Sequence, residues 1–289
     1  MIAASRPGSC AQSDQSPKKD RILKQIPDKP EVINAPNFWS CVSNSAKPFL
    51  GLDYDGTLAP FRMDRTEAYP LPGVVELLRD INRAGKTFLA IVSGRPLSEL
   101  ISLVGDQSIA LVGSHGFEFK YPGSEICVLS LAPRQATGLE IAKQIAEGLD
   151  LLHLIETKAA SVALHTRPLR LHQSGRVEDL ILSLWTNIAS SHDLYCRRFN
   201  GGIEILPQGW NKGSAVLRLL ARSDADLPVY IGDDTTDEDV FRVLAGRGIG
   251  IRVGRPEAPP TAADGFLPDC DAVRELLKTW LLIDSSKGR

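Results

Sequence analysis

The stretch Lys47–Leu58, KPFLGLDYDGTL, decides the fold, because a short apolar run stops in it abruptly at two aspartates and a glycine. Phe49, Leu50 and Leu52 read as a buried strand. Gly56 permits the sharp departure that follows, so Asp53 and Asp55 are expected at the strand's carboxyl end. In open α/β sheets that end is where ligands bind. A strand closed by an ordinary Asp-Gly turn is the plainer alternative. A calcium loop is disfavoured, since its sixth position needs glycine and Leu58 stands there. Whether the two carboxylates are functional depends on what the rest of the chain brings to them.

The 289 residues are 43% apolar and 24% charged, enough for a full core and, by length, two domains. A formal charge of −2 supplies no basic footprint for nucleic acid and no polybasic face for a membrane, so neither partner is expected. No apolar run reaches spanning length. Cys10, Cys41, Cys127, Cys196 and Cys270 are odd in number, scattered and without a C-x-x-C pair. That argues against a disulfide framework or a zinc site and suits a reducing, cytoplasmic setting. The opening residues lack the apolar core of a secretory signal. Ser, Gln, Pro, Lys and Asp dominate residues 1–36, which are expected as a disordered tail.

Beyond the first strand, Val74, Val75, Leu77, Leu78 and Ile81 recur at helical spacing and stop at Gly85. The strand TFLAIVS then ends at Ser93-Gly94-Arg95, Pro96 opens a second helix, and IALVG leads to Ser114-His115-Gly116. This alternation predicts an α/β fold with a Rossmann-like parallel sheet. From about Glu118 the pattern changes to strands joined through short connections, near ICVLSL, HLIETK, SVALHTR, LYCRRF and GIEILP, with two helices among them. Residues 119–207 are therefore read as an inserted α+β domain, and residues 37–118 with 208–289 as the core. In the core, Lys212 opens a helix, VYIG ends at Asp233 and Asp234, GIGIRV is the last strand, and Val273, Leu276, Leu277 and Trp280 mark a closing amphipathic helix.

Three core strands thus end in polar clusters, Asp53/Asp55, Ser93/Gly94/Arg95 and Asp233/Asp234, with Lys212 at a helix start between the last two. Massed carboxylates repel one another and need a cation. All-oxygen donors without histidine or cysteine select a hard ion, and Mg²⁺ fits because it takes a few carboxylates and completes its shell with water and phosphate. A hydroxyl, a lysine and backbone N–H groups beside such an ion describe a phosphate site. A carboxylate beside the phosphate describes a nucleophile, the role read for Asp53, with Asp55 as proton carrier.

D-Y-D-G-T-L, S-G-R, a lysine before a helix and G-D-D-T-T-D-E-D resemble, in chain order, the four motifs of the haloacid dehalogenase superfamily over residues 47–283. GDDTTDEDVF, GSHGFEF, IETKAASVALHTR and IEILPQGWNKGSA are similar to the trehalose-6-phosphate phosphatases in particular. That resemblance implies a Mg²⁺-dependent phosphatase with a haloacid dehalogenase core and an inserted α/β cap, hydrolysing trehalose 6-phosphate through an aspartyl-phosphate. It implies Asp53 as nucleophile and Asp55 as acid/base. It also implies Mg²⁺ on the Asp53 carboxylate, the Asp55 carbonyl and Asp233, and phosphate on Ser93, Gly94, Arg95 and Lys212. Asp234 and Asp237 stand as further metal partners, direct or indirect. A functional link to a separate trehalose-6-phosphate synthase follows from the same resemblance.

Sugar recognition falls to the cap, since the core motifs handle only phosphate. Glu156, Lys158, Arg167 and Glu204 are its candidates; cross-strand ion pairing on a solvated face is the plainer account of each. His115 either lines the site or is structural, while His165 and His172 lack metal-ligand spacing. Arg95 alternatively forms a salt bridge within the core, and RPEAPPTAADG reads as a loop. Three rival functions stay open: a phosphatase of another sugar phosphate or glycosyl-phosphoglycerate, a catalytically silent subunit of a trehalose-synthesising complex, and a phosphomutase.

Overall fold

The computed structural model describes residues 31–286 except 63, 107, 200 and 255–259. In chain order its first elements are α1 (Pro36–Asn44), β1 (Pro48–Leu52), α2 (Val74–Ala84), β2 (Phe88–Val92), α3 (Leu97–Val104), β3 (Ala110–Gly113), β4 (Glu118–Lys120) and β5 (Cys127–Val128). Next come α4 (Pro133–Gly148), β6 (Ile155–Thr157), β7 (Val162–His165), α5 (Leu171–Ser191), β8 (Leu194–Phe199) and β9 (Gly202–Pro207). The chain closes with α6 (Lys212–Ser223), β10 (Leu227–Gly232), α7 (Glu238–Leu244), β11 (Ile249–Val253), β12 (Gly265–Leu267) and α8 (Cys270–Ser286).

The large sheet runs β12-β11-β10-β1-β2-β3-β4-β5. It is parallel from β12 to β3, and β1 lies at its centre between β10 and β2. All five residues of β1 are buried, as a two-sided parallel sheet requires. Leu50 and Leu52 face one apolar layer with α2, α3 and α8, while Phe49 faces the other with α6 and α7. Val273, Leu276, Leu277 and Trp280 are fully buried in the first layer, as their spacing predicts.

Three boundaries differ from the sequence reading. The strand near ICVLSL and the residues after Glu118 belong to the large sheet, not to the insert: β4 pairs antiparallel with β3, and β5 with β4. The tight turn Ser114–Gly116 folds the chain back on β3, and a hairpin on a sheet edge looks in sequence like the start of a new layer. Ile249–Val253 is not the last strand, because β12 pairs with it; three residues beyond a Pro-rich run carry too little periodicity to be noticed. At the other end the expected tail stops short of 36, since Glu31 bridges to Phe266 and Val32 is buried in the core ahead of Phe38 and Val42. Residues 1–30, and 255–259 of the Pro-rich run, lie outside the described residues.

The smaller unit is a four-stranded antiparallel sheet, β6-β7-β9-β8, with α4 and α5 packed on one face. Ile203, Ile205, Leu194 and Cys196 point into that apolar layer. Side chains alternate along a strand, so Glu204 on β9 and Arg197 on β8 project from the opposite face, and the register pairs them directly. No described helix is long and apolar enough to cross a membrane.

Candidate active site

β10, β1 and β2 are adjacent and parallel, so the residues that follow them meet at one sheet edge. Asp53 continues the ladder for one more bond, its N–H donating to the Ile231 carbonyl at 2.8 Å, and Ser93 does the same to Val112 at 2.9 Å. Gly56 turns the chain with φ of +79°, and a β-carbon there would lie 2.2 Å from the Asp233 carboxylate. Glycine is therefore needed twice over, for its dihedral and for the approach of Asp233. Lys212 is the first residue of α6, whose start is fixed by the Asn211 side chain accepting from the Ser214 N–H at 2.9 Å.

Lys212, only 3% exposed, is the hub of the cluster. Its Nζ lies 2.7 Å from Asp53 and 2.8 Å from Asp237. Burial works to strip its proton, but Asp237 and Asp53 outweigh burial and hold it charged. Asp53, Asp233 and Asp237 bring carboxylate oxygens within 4.8 Å of one another. One ammonium cannot neutralise three carboxylates, and two of the acids respond accordingly. Burial, then Asp237, pushes Asp53 well above the usual range against the pull of Lys212, and burial with Asp237 pushes Asp233 up to about 7. Asp233 Oδ1 is buried without a hydrogen-bond partner among the described residues. An orphaned oxygen amid surplus negative charge, with oxygen donors only, fits a small hard cation.

The candidate ligands do not all share this place. Both oxygens of Asp237 are taken: Oδ1 accepts from Lys212 and from the Tyr230 hydroxyl at 2.7 Å, and Oδ2 from the Asp234 N–H at 2.9 Å. Asp234 is exposed, and its Oδ1 accepts from the N–H of Thr235 at 2.6 Å. The Asp55 carboxylate is not one of the three clustered groups and is clamped by Arg95 through two bonds of 2.7 and 2.6 Å. Arg95, a sequence candidate for phosphate, thus spends its guanidinium on Asp55 and, at 3.3 Å, on Glu99. Ser93 is buried beside them, and its Oγ accepts from the Arg95 N–H at 3.1 Å.

The polar face of the small sheet closes over this edge. Lys158 Nζ reaches the Gly94 carbonyl at 3.4 Å and Glu204 at 3.1 Å. Glu204 also accepts from Ser161 Oγ at 2.6 Å and from Arg197 Nε at 3.1 Å. Burial opposes its charge, but Arg197, Lys158 and His115 hold its carboxyl well below the usual range. Glu156 accepts from Arg65 and from His165, each at 2.7 Å. Burial again opposes ionisation, and the His165 bond with the charges of Lys158 and Arg65 holds it down at about 2. His115 belongs to the site: its backbone turns at φ 55°, its ring fills the place a β-carbon on Gly94 would take, and its Nε2 accepts from Arg197. Arg167 is exposed at the cleft wall, against Gly201.

Between the two units lies a cavity of about 410 Å³ lined by Asp53, Ser93, Lys212 and Asp233 on one side and by Lys158, Arg167, Arg197 and Glu204 on the other. Eight lysines and arginines line it against five aspartates and glutamates, so it suits an anion. Arg197 and Arg65 escaped the sequence reading. Arg197 becomes visible only through the β8–β9 register, which sets it directly opposite Glu204; Arg65, in an irregular loop, had no signal.

Residues 51–269 match the sequence model of the trehalose-phosphatase family. The chain belongs to the trehalose-phosphatase family. It is 29% identical over 251 residues to the bifunctional trehalose-6-phosphate synthase/phosphatase of Thermoproteus tenax, covering 86% of this chain and 34% of that protein. It is 28% identical over 245 residues to a trehalose-phosphate phosphatase of Mycobacterium bovis, covering 81% and 60%. The chain therefore spans about a third to three fifths of the length of these relatives. The C-terminal domain of the C. albicans trehalose-6-phosphate phosphatase superposes with a TM-score of 0.74 at 24% identity, covering 89% of this chain and 98% of that one. That likeness shows the fold, an α/β unit built on a mostly parallel sheet that carries a smaller antiparallel sheet.

Proposed function

We propose that the chain is a Mg²⁺-dependent phosphatase that hydrolyses trehalose 6-phosphate to trehalose and phosphate. The observation that carries this reading is the single cavity in which Asp53, Lys212 and Asp233 face Lys158, Arg197 and Glu204. A disaccharide phosphate presents one dianion and many neutral hydroxyls, and the two walls offer one environment for each. The family match supports the choice of sugar. In this reading the sheet β6-β7-β9-β8 with α4 and α5 acts as the cap, and the large sheet with its helices as the catalytic core.

Asp53 attacks phosphorus, the bond from phosphorus to the sugar oxygen breaks, and Asp55 gives that oxygen its proton. Water then loses a proton to Asp55 and attacks the aspartyl-phosphate, releasing phosphate and restoring Asp53. Lys212, held protonated, and the N–H groups after β2 stabilise the oxygens of the transferring group, with Ser93 Oγ. Mg²⁺ would be held by Asp53, Asp233 and the Asp55 carbonyl; when bound it supplies the positive charge that three clustered carboxylates and a phosphate require. Asp234 and Asp237 stay outside that set, Asp237 holding Lys212 in place. Glu204, Lys158, Glu156 and Arg167 receive the sugar hydroxyls, and Arg95 acts on Asp55 and not on phosphate.

The same reading links the chain to the activity that makes trehalose 6-phosphate, a connection the bifunctional relative carries in its name. Product analysis by NMR tests the reading. Free trehalose with one phosphate per turnover is expected, and an isomerised sugar phosphate would point to a mutase instead.

A further inference from the structure

The walls of the cavity are almost entirely charged or polar, with two benzene rings set among them. Phe61, between β1 and α2, and Phe199, on β8, line it together with eight lysines and arginines and five aspartates and glutamates. Phe199 is half-buried and engaged, with the His165 ring packed edge-on against it at 5.4 Å and 67°. Phe61 is 65% exposed, and no aromatic or cation–π contact joins it among the described residues. A single exposed phenylalanine on an open surface calls for no account. One that lines a charged cleft presents a free apolar face to whatever enters.

The chain fixes where that face lies relative to the chemistry. Ala59 is bridged to Asp55, and its carbonyl accepts from the Gly56 N–H at 2.8 Å. The Leu71 N–H closes the far side of the loop onto the Leu58 carbonyl at 3.0 Å. Phe61 follows Ala59 by two residues, at most about 7 Å of chain. A sugar whose departing oxygen meets Asp55 therefore carries its ring into the reach of a side chain rooted at residue 61.

A pyranose is polar at its rim and apolar on its faces. The rim hydroxyls can be met by Glu204, Lys158, Glu156 and Arg167, as proposed above, but none of these groups covers a face of C–H bonds. A flat aromatic ring does, and its electron-rich face favours the polarised C–H groups of a sugar.

We propose that Phe61 is a specificity-determining residue whose ring stacks on the C–H face of the leaving sugar. The inference rests on the reading of Asp55 as acid/base and of a sugar phosphate as substrate. It goes beyond that reading by giving the apolar half of sugar recognition to the core unit, where the motif residues of the small sheet supply only the polar half. Such a contact is made alike in the bound substrate and in the transition state, so it acts on KM and not on kcat.

The test uses the full chain with Mg²⁺ and two substrates, trehalose 6-phosphate and β-glycerophosphate, an alkyl ester without a ring. In Phe61→Ala, KM for trehalose 6-phosphate should rise about tenfold relative to that for β-glycerophosphate, with the change in KM and not in kcat. Phe61→Tyr keeps the ring and should restore the wild-type ratio. The ring is mostly exposed, so both variants should melt within about 2 °C of wild type. An unchanged KM ratio in Phe61→Ala, an equal loss on both substrates, or a Phe61→Tyr variant as impaired as Phe61→Ala overturns the proposal. A wild-type chain that prefers another sugar phosphate would sink the substrate reading alone, because the same split, measured on the preferred ester, still decides for or against Phe61.

Discussion

Replacing Glu204 by glutamine should cost the protein more stability than a surface ion pair would suggest. Glu204 is 2% exposed and is the shared anion for Lys158 at 3.1 Å and Arg197 at 3.1 Å, with Ser161 donating at 2.6 Å. Glutamine keeps the shape, and its carbonyl can still accept from Lys158 and Ser161. Its amide nitrogen must then face the N–H groups of Arg197, leaving a buried guanidinium without its counter-charge. Breaking a buried pair from one side costs about 3–5 kcal/mol, and the surviving bonds place this case near about 3. For a chain of this size that lowers the melting temperature by about 6–12 °C. Glu204 is held below its ordinary value of 4.5, so its stabilisation is complete above that pH and is lost as pH falls through the depressed folded value. The gap between variant and wild type should therefore be constant from about pH 6 to 8 and shrink below about 4.5. Calorimetric melts of both proteins across that range are the assay. A difference under about 2 °C at pH 7 would refute the claim that Glu204 anchors these cations.

Asp53→Asn should abolish turnover, yet in the absence of metal it should melt no lower than wild type, because it removes a carboxylate that burial and Asp237 already disfavour; a melting loss of several degrees would count against that crowding. Tyr230→Phe keeps the ring packed over Gly51 and deletes the bond to Asp237, so kcat should drop about tenfold at constant KM, the worth of about 1.4 kcal/mol for a bond to a charged group, and an unchanged kcat would free Tyr230 of any part in holding Lys212. Asp233 is raised from 3.8 to about 7, so the folded state binds the extra proton between those values and metal-free stability should fall as pH rises from about 4 to 7. Mg²⁺ competes with that proton, so its stabilising effect in thermal shift should be larger at pH 8 than at pH 6, and an equal shift at both would contradict Asp233 as a ligand.

Where a residue's role is set by its own strand, the sequence made it legible. β1, β2 and β10 are apolar runs that each stop in a polar group, and parallel pairing alone brings Asp53, Ser93 and Asp233 together. Lys212 is fixed by the cap of its own helix. Roles set by a partner far along the chain were hidden. Asp55 and Arg95 looked like independent site residues until the structure joined them, and Asp234 and Asp237 look alike in GDDTTDED until one is seen turned to Thr235 and the other to Lys212. Arg197 reads as a solvated charge on a polar strand, and only its cross-strand pairing with buried Glu204 makes it internal. The hairpin of β4 and β5 and the short β12 lie at sheet edges, where periodicity is too brief to separate a core strand from a loop.

The central claim, a Mg²⁺-dependent phosphatase selective for trehalose 6-phosphate, is tested most directly by phosphate release from a panel of sugar phosphates with and without Mg²⁺. The expected result is release that requires Mg²⁺ and a kcat/KM highest for trehalose 6-phosphate. Metal-independent release, no release from well-folded protein, or a better substrate among the other sugar phosphates would contradict it.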